Sequence, residues 1–287
     1  MPSADIVIPA YNERYEALEA TLTACVAQTE PALRIFVVDD GSREPVRLPE
    51  WTRLVPNIRL LRLDQNEGIS AARNAAIRLS ATPFLACVNT EVLPDREWMA
   101  NCLRYLRENP KVGACYTRTV PKIPNGLLTR WRMRFQEPEY QQNTGPSEFA
   151  HGHAVLFRRD AIDAVGGYDM RYRRHHEDSD ICRRMWRAGW ETHFLQDGCC
   201  VSIQQDSLAE LASKQLRDSN WYSPQDSLFR LYLHLTKWTV VRAGRNLARG
   251  RLYFLPIDLA LWGYALCLAT NDTFRTLLSG KNSLDKN

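Results

Sequence analysis

Short apolar runs alternate with helical patterns along the first third of the chain. Ile6–Ala10 (IVIPA), Arg34–Asp39 (RIFVVD), Ile58–Leu63 and Phe84–Val88 are apolar-rich and read as strands. Between them, Glu16–Ala27 places Leu18, Leu22 and Val26 on one helical face, and Ser70–Leu79 is rich in helix-forming alanine. Arg96–Arg107 is helical again. Strands without polar alternation, separated by helices, predict a mostly parallel sheet covered on both faces. In such a sheet a ligand lies outside the carboxyl ends of the strands. Polar and acidic residues gather there: Pro9-Ala10-Tyr11-Asn12-Glu13 after the first strand, Asp39-Asp40-Gly41-Ser42 after the second, Asn89-Thr90-Glu91 after the fourth.

The pattern breaks between Pro121 and Pro146, where Pro, Gly, Arg and aromatics mix without a period. A long surface segment with one short helix is expected there. His151–Phe157 returns to strand, Asp160–Val165 reads as a short helix closed by Gly166-Gly167, and Glu177–Ala188 as a helix closed by Gly189. Beyond Ser207 the chain turns helical and cationic. Leu228–Arg251 carries Lys237, Arg242, Arg245, Arg249 and Arg251 among Leu, Trp and Val. Residues 252–269 (LYFLPIDLALWGYALCLA) are apolar and aromatic, interrupted by Pro256 and Asp258. A spanning helix wants about 20 uninterrupted apolar residues. A helix lying in the membrane plane or docking is expected, with a buried core helix and a spanning helix as the alternatives.

A charged content of 24% beside 45% hydrophobic residues is that of an ordinary folded protein, and a net charge of +4 does not by itself point to nucleic acid. The eight cysteines show no CxxC spacing, so buried reduced thiols are expected rather than a zinc or redox site. The N-terminus enters a strand without an apolar leader, so a cytoplasmic location is expected, at most peripheral at the inner face of the membrane.

In order along the chain stand Ile8-Pro9-Ala10-Tyr11-Asn12-Glu13, Val37-Val38-Asp39-Asp40-Gly41-Ser42, Asn66-Glu67-Gly68 leading to Ala72-Arg73-Asn74, Val165-Gly166-Gly167-Tyr168-Asp169 and Glu177-Asp178-Ser179-Asp180. As an ordered series over about residues 5–205 they resemble glycosyltransferase family 2, with the GT-A fold. The resemblance implies an α/β protein with a Rossmann-like, mostly parallel sheet and helices on both faces. It implies a transferase domain at 1–205 (nucleotide half about 1–95, acceptor half about 96–205), followed by a helical, basic and apolar extension at 206–287. It also implies inverting transfer of a sugar from a nucleotide diphosphate sugar to an acceptor hydroxyl, in cell-surface polysaccharide or glycolipid synthesis. Asp39 and Asp40 are then the candidates to bind the nucleobase, without a choice between them, Pro9, Ala10, Tyr11 and Glu13 line the same pocket, and Arg73 helps hold the nucleotide through a charge-assisted contact. Asn89 and Thr90 border the donor. His151 and Gly152, with the irregular 121–150 segment, border the acceptor. Judged alone, Asp40-Gly41-Ser42 would also make an ordinary turn.

The stretch RRHHEDSDICRRMWRAGW (Arg173–Trp190) holds the candidate base. An acceptor hydroxyl is a poor nucleophile until its proton begins to leave, and a carboxylate in hydrogen-bond reach typically contributes about 10²–10⁴-fold. The family's base maps onto Asp178, with Glu177 beside it, at a helix start whose exposed N–H groups favour a carboxylate. Asp180 stands four before Arg184, the spacing of a helical ion pair. A zinc site at His175-His176-Glu177-Asp178 and a plain surface of paired charges are the competing readings of this stretch.

Two departures weaken the resemblance. Where the family carries Asp-x-Asp after strand four, this chain has Asn89-Thr90-Glu91, so Glu91 and Asn89 are the expected ligands of Mg²⁺ or Mn²⁺ in a weakened site. Where many members carry a histidine after the last strand, Gln204 or Gln205 stands. A protein that binds a nucleotide sugar without turning it over is therefore the alternative. The partners expected are the nucleotide diphosphate sugar, a glycan or lipid-linked acceptor and an anionic membrane surface facing the basic tail, not nucleic acid. Neither a GxGxxG after strand one nor a GxSxG elbow is present, which sets aside a nicotinamide dehydrogenase and a serine hydrolase.

Overall fold

The computed structural model describes residues 4–122, 126–135, 141–150, 153–173, 176–222 and 228–279. Two units form along the chain. Met1–Lys122 with Tyr140–Gln204 make one, and Ile123–Glu139 with Gln205–Asn287 make the other.

The first unit is built on its apolar runs. Every residue of β1 (Ala4–Ala10) and of β2 (Ile35–Asp39) is buried. They pair in parallel, with β3 (Ile58–Arg62) outside β2 and β4 (Phe84–Val88) on the other side of β1. Alternate residues of β1 enter two different cores. Ile6 and Ile8 pack with Leu18 and Leu22 of α1 (Tyr15–Val26) and with Trp98 and Leu103 of α3 (Trp98–Glu108). Val7 packs with Ala72 and Ala76 of α2 (Ile69–Leu79) and with Ile181 and Met185 of α6 (Glu177–Arg187). Helices on both faces explain why the strands carry no polar alternation.

Beyond β4 the sheet differs from the expected mostly parallel one. β8 (Ala154–Arg158) runs antiparallel to β4, β6 (Val112–Pro121) antiparallel to β8, and β9 (Glu191–Ser202) parallel to β6. The short β5 (Val92–Pro94) and β7 (Gly145–Pro146) add to β9 in antiparallel sense. The order is β3-β2-β1-β4-β8-β6-β9-β5. Two long strands, β6 and β9, were not among the strands read from the pattern. Register shifts at Val112/Ala114 and Thr117/Arg118 break their periodicity. The strand expected from His151 begins at Ala154; residues 151–152 lie outside those described. A helix of six residues, α5 (Arg159–Ala164), follows it as expected.

The second unit begins at Gln205 and takes in the earlier stretch Ile123–Glu139 as well. Within the segment read as irregular lies α4 (Leu127–Phe135). Its Trp131 is fully buried and packs with Leu211 of α7 (Leu208–Tyr222), Leu235 of α8 (Leu228–Ala248) and Leu261 of α9 (Leu255–Ser279). Asp258, the charge that interrupts the apolar stretch, is 0% exposed. It accepts hydrogen bonds from the Trp131 indole and the Asn246 amide, both at 2.9 Å, and Arg242 Nε lies 3.5 Å away. One face of α9, with Ile257, Leu261 and Ala265, is core, while Leu259 and Tyr264 are exposed. Among the described residues no helix is long and apolar enough to cross a membrane.

All eight cysteines are free, and six of them are buried, as expected of packing thiols. Burial pushes the Cys25 thiol up to about 12.

A second buried pair anchors α4: Arg132 Nε donates to Asp206 Oδ1 at 2.6 Å, with both side chains at most 4% exposed. Asp206→Ala strands a guanidinium in the interior and should cost about 3–5 kcal/mol. Urea unfolding checks this; an unchanged midpoint would show that the pair contributes nothing.

Candidate active site at the carboxyl edge of the sheet

Among the described residues, three non-glycine residues have a positive φ: Asn12 (53°) after β1, Glu91 (68°) after β4 and His176 (68°) before α6. Such conformations cost roughly 1–3 kcal/mol each and cluster where the surroundings over-determine the backbone. Here all three fall within or beside stretches that the sequence marked as chemically interesting.

The turns after β1 and β2 lock together. Ser42 Oγ accepts from Asn12 N at 2.9 Å, and Asn12 Oδ1 accepts from Arg43 N at 3.0 Å. Pro9 and Ala10 are the buried end of β1, in register with Val38 and Asp39, while Tyr11 is 42% exposed beyond them. Asp39 is 1% exposed. Its carboxylate accepts from Ser42 N, Val46 N and the Arg62 guanidinium. Burial pushes its pKa up, but these donors outweigh it and hold the carboxyl below its ordinary value. Asp40 is 3% exposed and accepts from Glu67 N and Gly68 N, each at 2.8 Å, and from Asn66 Nδ2 at 3.0 Å. Burial raises its pKa despite those bonds. Both aspartates therefore organise loops. They draw the Asn66-Glu67-Gly68 stretch against the β2 turn, where a Cβ on Gly41 (φ 65°) would lie 2.3 Å from the Gln65 backbone.

Arg73, on α2, sits at the centre. It is 0% exposed. Its Nη1 donates to Glu177 Oε1 at 3.0 Å and Asp178 Oδ1 at 2.8 Å, and its Nη2 to Asn89 Oδ1 at 2.9 Å. The guanidinium also lies over the Tyr168 ring, 4.9 Å from its centre. Burial pulls its pKa down, but the neighbouring Tyr168, Asp178 and Glu177 outweigh that and raise it well above the ordinary value. Asn74 fixes Tyr168 in turn, donating to its carbonyl at 2.7 Å and accepting from its N–H at 2.9 Å. The Ala72-Arg73-Asn74 and Gly167-Tyr168 motifs are thus two halves of one brace.

Glu177 and Asp178 open α6, as the sequence predicts, and differ sharply in setting. Glu177 is 4% exposed, and burial first, then the Asp178 charge, raises its pKa to about 7 against the pull of Arg73. The Asp178 side chain keeps 25% exposure. Arg73 holds its Oδ1, and its Oδ2 takes no hydrogen bond among the described residues. Asp180 bonds Arg184 at 2.7 Å, the expected helical pair, and Arg184 also reaches the carbonyls of Val165 and Gly167.

At the turn after β4 the donors are engaged. Asn89 Oδ1 faces Arg73, and Glu91 Oε1 accepts from Arg14 Nη2 at 2.6 Å. Glu13 belongs to this cluster. Partial desolvation and the Glu91 charge raise its pKa, against a bond from Thr90. Among the described residues no group of three or more His, Cys, Asp or Glu converges. Glu91, an expected ligand, lies beside Glu13 but is paired with Arg14, and Asn89, the other expected ligand, is taken by the buried arginine, so no intact metal site forms among the described residues. Arg14 carried no signal in the sequence beyond following the first motif. His151 and Gly152 lie outside the described residues.

The sheet, with helices on both faces and polar turns at its carboxyl edge, is GT-A-like in fold. The model of Glycosyl transferase family 2 matches residues 5–166, and that of Glycosyl transferase family group 2 matches residues 94–271. The chain belongs to glycosyl transferase family 2. It is 26% identical over 234 residues to an N-acetylglucosaminyltransferase of Rhizobium meliloti (strain 1021), covering 76% of this chain and 55% of that protein. It is 24% identical over 242 residues to a UDP-forming cellulose synthase catalytic subunit of Pseudomonas fluorescens (strain SBW25), covering 80% and 32%. The chain thus spans about half the length of the first relative and a third of the second. A mannosyltransferase from Pyrobaculum calidifontis, solved with GDP-Man and Mn²⁺, superposes over 98% of this chain and 76% of its own at a TM-score of 0.56 and 20% identity.

Glu177 gives the site a signature in pH. Its folded pKa lies above the usual carboxylate value, so the folded state binds the extra proton. The stability this contributes is complete below about pH 4.5 and is lost as pH rises through about 7. Glu177→Gln, neutral at every pH, should flatten the stability profile across that window. Denaturation midpoints of both proteins from pH 4 to 8 check this; parallel curves would contradict the raised pKa.

Proposed function

We propose that the chain moves a sugar, with inversion, from a nucleotide diphosphate sugar to an acceptor hydroxyl, and that Asp178 is the base. The observation that carries this reading is the half-engaged carboxylate of Asp178. One oxygen is held by a buried arginine and the other is left for an incoming alcohol. In the proposed step the acceptor O–H proton passes to Asp178 Oδ2. The acceptor oxygen bonds the sugar's anomeric carbon on the face opposite the diphosphate, and the departing bond's electron pair leaves with the diphosphate. Glu177 ionises as pH rises through about 7 and adds negative charge next to the acceptor position, which favours departure of the acceptor proton. Transfer should therefore rise through pH 7 and lose that inflection in Glu177→Gln.

The nucleotide would lie over the Pro9–Tyr11 and Asp39–Ser42 turns, with Asn89 and Thr90 beside the diphosphate. Arg73, buried as it is, acts here as the positioning residue for Asp178 rather than as a direct phosphate contact. The relatives' names, an N-acetylglucosaminyltransferase and a UDP-forming cellulose synthase, support a nucleotide diphosphate sugar donor and a glycan or lipid-linked acceptor in polysaccharide or glycolipid synthesis. Glu91, with Glu13, would hold a divalent cation, which supplies charge neutralisation to the leaving diphosphate when bound.

Asp178→Asn keeps the contact with Arg73 but cannot take a proton. It should lower transfer by about 10²–10⁴-fold while donor binding is nearly unchanged. Wild-type turnover in this variant would remove Asp178 from the role. Because Arg14 competes for Glu91, Arg14→Ala should lower the Mn²⁺ concentration needed for half-maximal donor binding, and Glu91→Gln should raise it. Calorimetric titration of donor against Mn²⁺ reads both; two unchanged midpoints would take the cation away from Glu91.

A further inference from the structure

The second unit holds a cavity of about 230 Å³ that belongs to none of the chemistry above. It is lined by Arg134, Phe135, Arg245, Asn246, Arg249 and Arg251. Four guanidiniums border it and no carboxylate does. Arg245, Arg249 and Arg251 make no ion pair among the described residues.

The cup follows from how α8 ends. Gly250 takes a φ of 65°, its N–H donates to the Leu247 carbonyl at 3.1 Å, and the Arg251 N–H donates to the Asn246 carbonyl at 2.8 Å. This paired closure turns the chain back on the helix end and sets Arg251 beside Arg249. Arg245 stands one turn earlier on the same face. The last turn of α4 contributes Arg134 and Phe135. The floor is firm: Asn246 is 1% exposed and donates to buried Asp258, and Phe135 packs on Trp131 and Phe254.

The partial negative charge at a helix C-terminus accounts for a cation or two in a last turn. It does not account for Arg245, Arg249 and Arg251 meeting at one small concavity, where they repel one another unless an anion sits among them. The cavity is smaller than the roughly 300–1,000 Å³ of sites for drug-sized ligands, so it suits a phosphate group rather than a whole nucleotide sugar. Guanidiniums hold phosphate in pairs of parallel hydrogen bonds. The surroundings decide the source of that phosphate. Leu247, Leu252 and Tyr253, interleaved with the arginines in sequence, are 62%, 55% and 46% exposed. Arg130 lies over the Tyr253 ring at 5.2 Å. Exposed apolar and aromatic side chains among arginines are the makeup of a protein surface at the lipid headgroup level.

We propose that this cup binds the phosphate headgroup of an anionic lipid and so seats the helical unit on a membrane surface. The test uses the full chain, with vesicles of phosphatidylcholine alone or mixed with phosphatidylglycerol, in a flotation assay. Wild type should bind the anionic vesicles and not the neutral ones. Arg245→Gln/Arg249→Gln should weaken that binding by about thirtyfold with an unchanged melting temperature. Lys237→Gln/Arg187→Gln removes the same net charge elsewhere and should retain binding. Equal loss in both double variants would mean diffuse attraction and overturn the cup. Inorganic phosphate or pyrophosphate that raises the melting temperature of wild type, without any vesicle binding, would overturn the lipid as source. Tighter binding to duplex DNA, lost in the same arginine variant, would overturn it as well. All readouts are independent of sugar transfer, so failure here leaves the assignment of Asp178 standing.

Discussion

One buried guanidinium holds the candidate site together. Arg73 joins α2 to the start of α6, more than a hundred residues later, and to the end of β4. Two adjacent carboxylates at the head of one helix repel each other, and without a cation between them Glu177 could not stay buried beside Asp178. The pairing sets a compromise. The arginine holds Asp178 by one oxygen, while burial and the Asp178 charge raise the Glu177 pKa to about 7 against the arginine's pull. Tyr168 under the guanidinium and Asn74 beneath Tyr168 make the arrangement rigid, because each of these contacts fixes the next.

Much of this was legible and some was not. The doubly buried strands β1, β2 and β4 announce themselves, since a strand covered on both faces is apolar throughout. The helix starting at Glu177 was legible from its acidic first turn and closing glycine. β6 and β9 escaped because irregular register and interleaved polar residues such as Thr117, Arg118, Gln196 and Asp197 blur any period. The ordered motifs pointed to the site, but not to what each residue does in it. For Arg73, Asp39 and Asp40 the structure adds partners within the fold, carboxylates for the arginine and loop N–H groups for the aspartates, which hold the helices and loops of the site in place. Those partners lie far along the chain, and spacing says nothing about them.

The same reason governs the second unit. Asp258 reads as a flaw in an apolar helix, which is why the stretch suggests a membrane surface rather than a core. In the fold it is the acceptor at the centre of Trp131, Asn246 and Arg242, and α9 hides one face behind it. A buried carboxylate with two hydrogen-bond donors and a guanidinium nearby is compatible with an interior, whereas the same residue on a lipid-facing helix would be costly. What reaches the surface instead is the arginine-rich end of α8, the turn on which the proposed lipid contact rests.

The two arginine–carboxylate contacts of the candidate site differ in kind, and that difference orders events. Arg14 and Glu91 are 44% and 23% exposed, and such a pair is worth at most about 1 kcal/mol, so a competing charge displaces it easily. Arg73 is wholly buried between partners that would be left uncompensated if it moved, a loss of several kcal/mol. On the function proposed above, a diphosphate arriving at the β4 turn would displace the exposed pair, leaving Arg14 for the phosphates and Glu91 for a cation, while the buried pair would keep Asp178 in position. Such a site would change its charge at the rim without disturbing the proposed base.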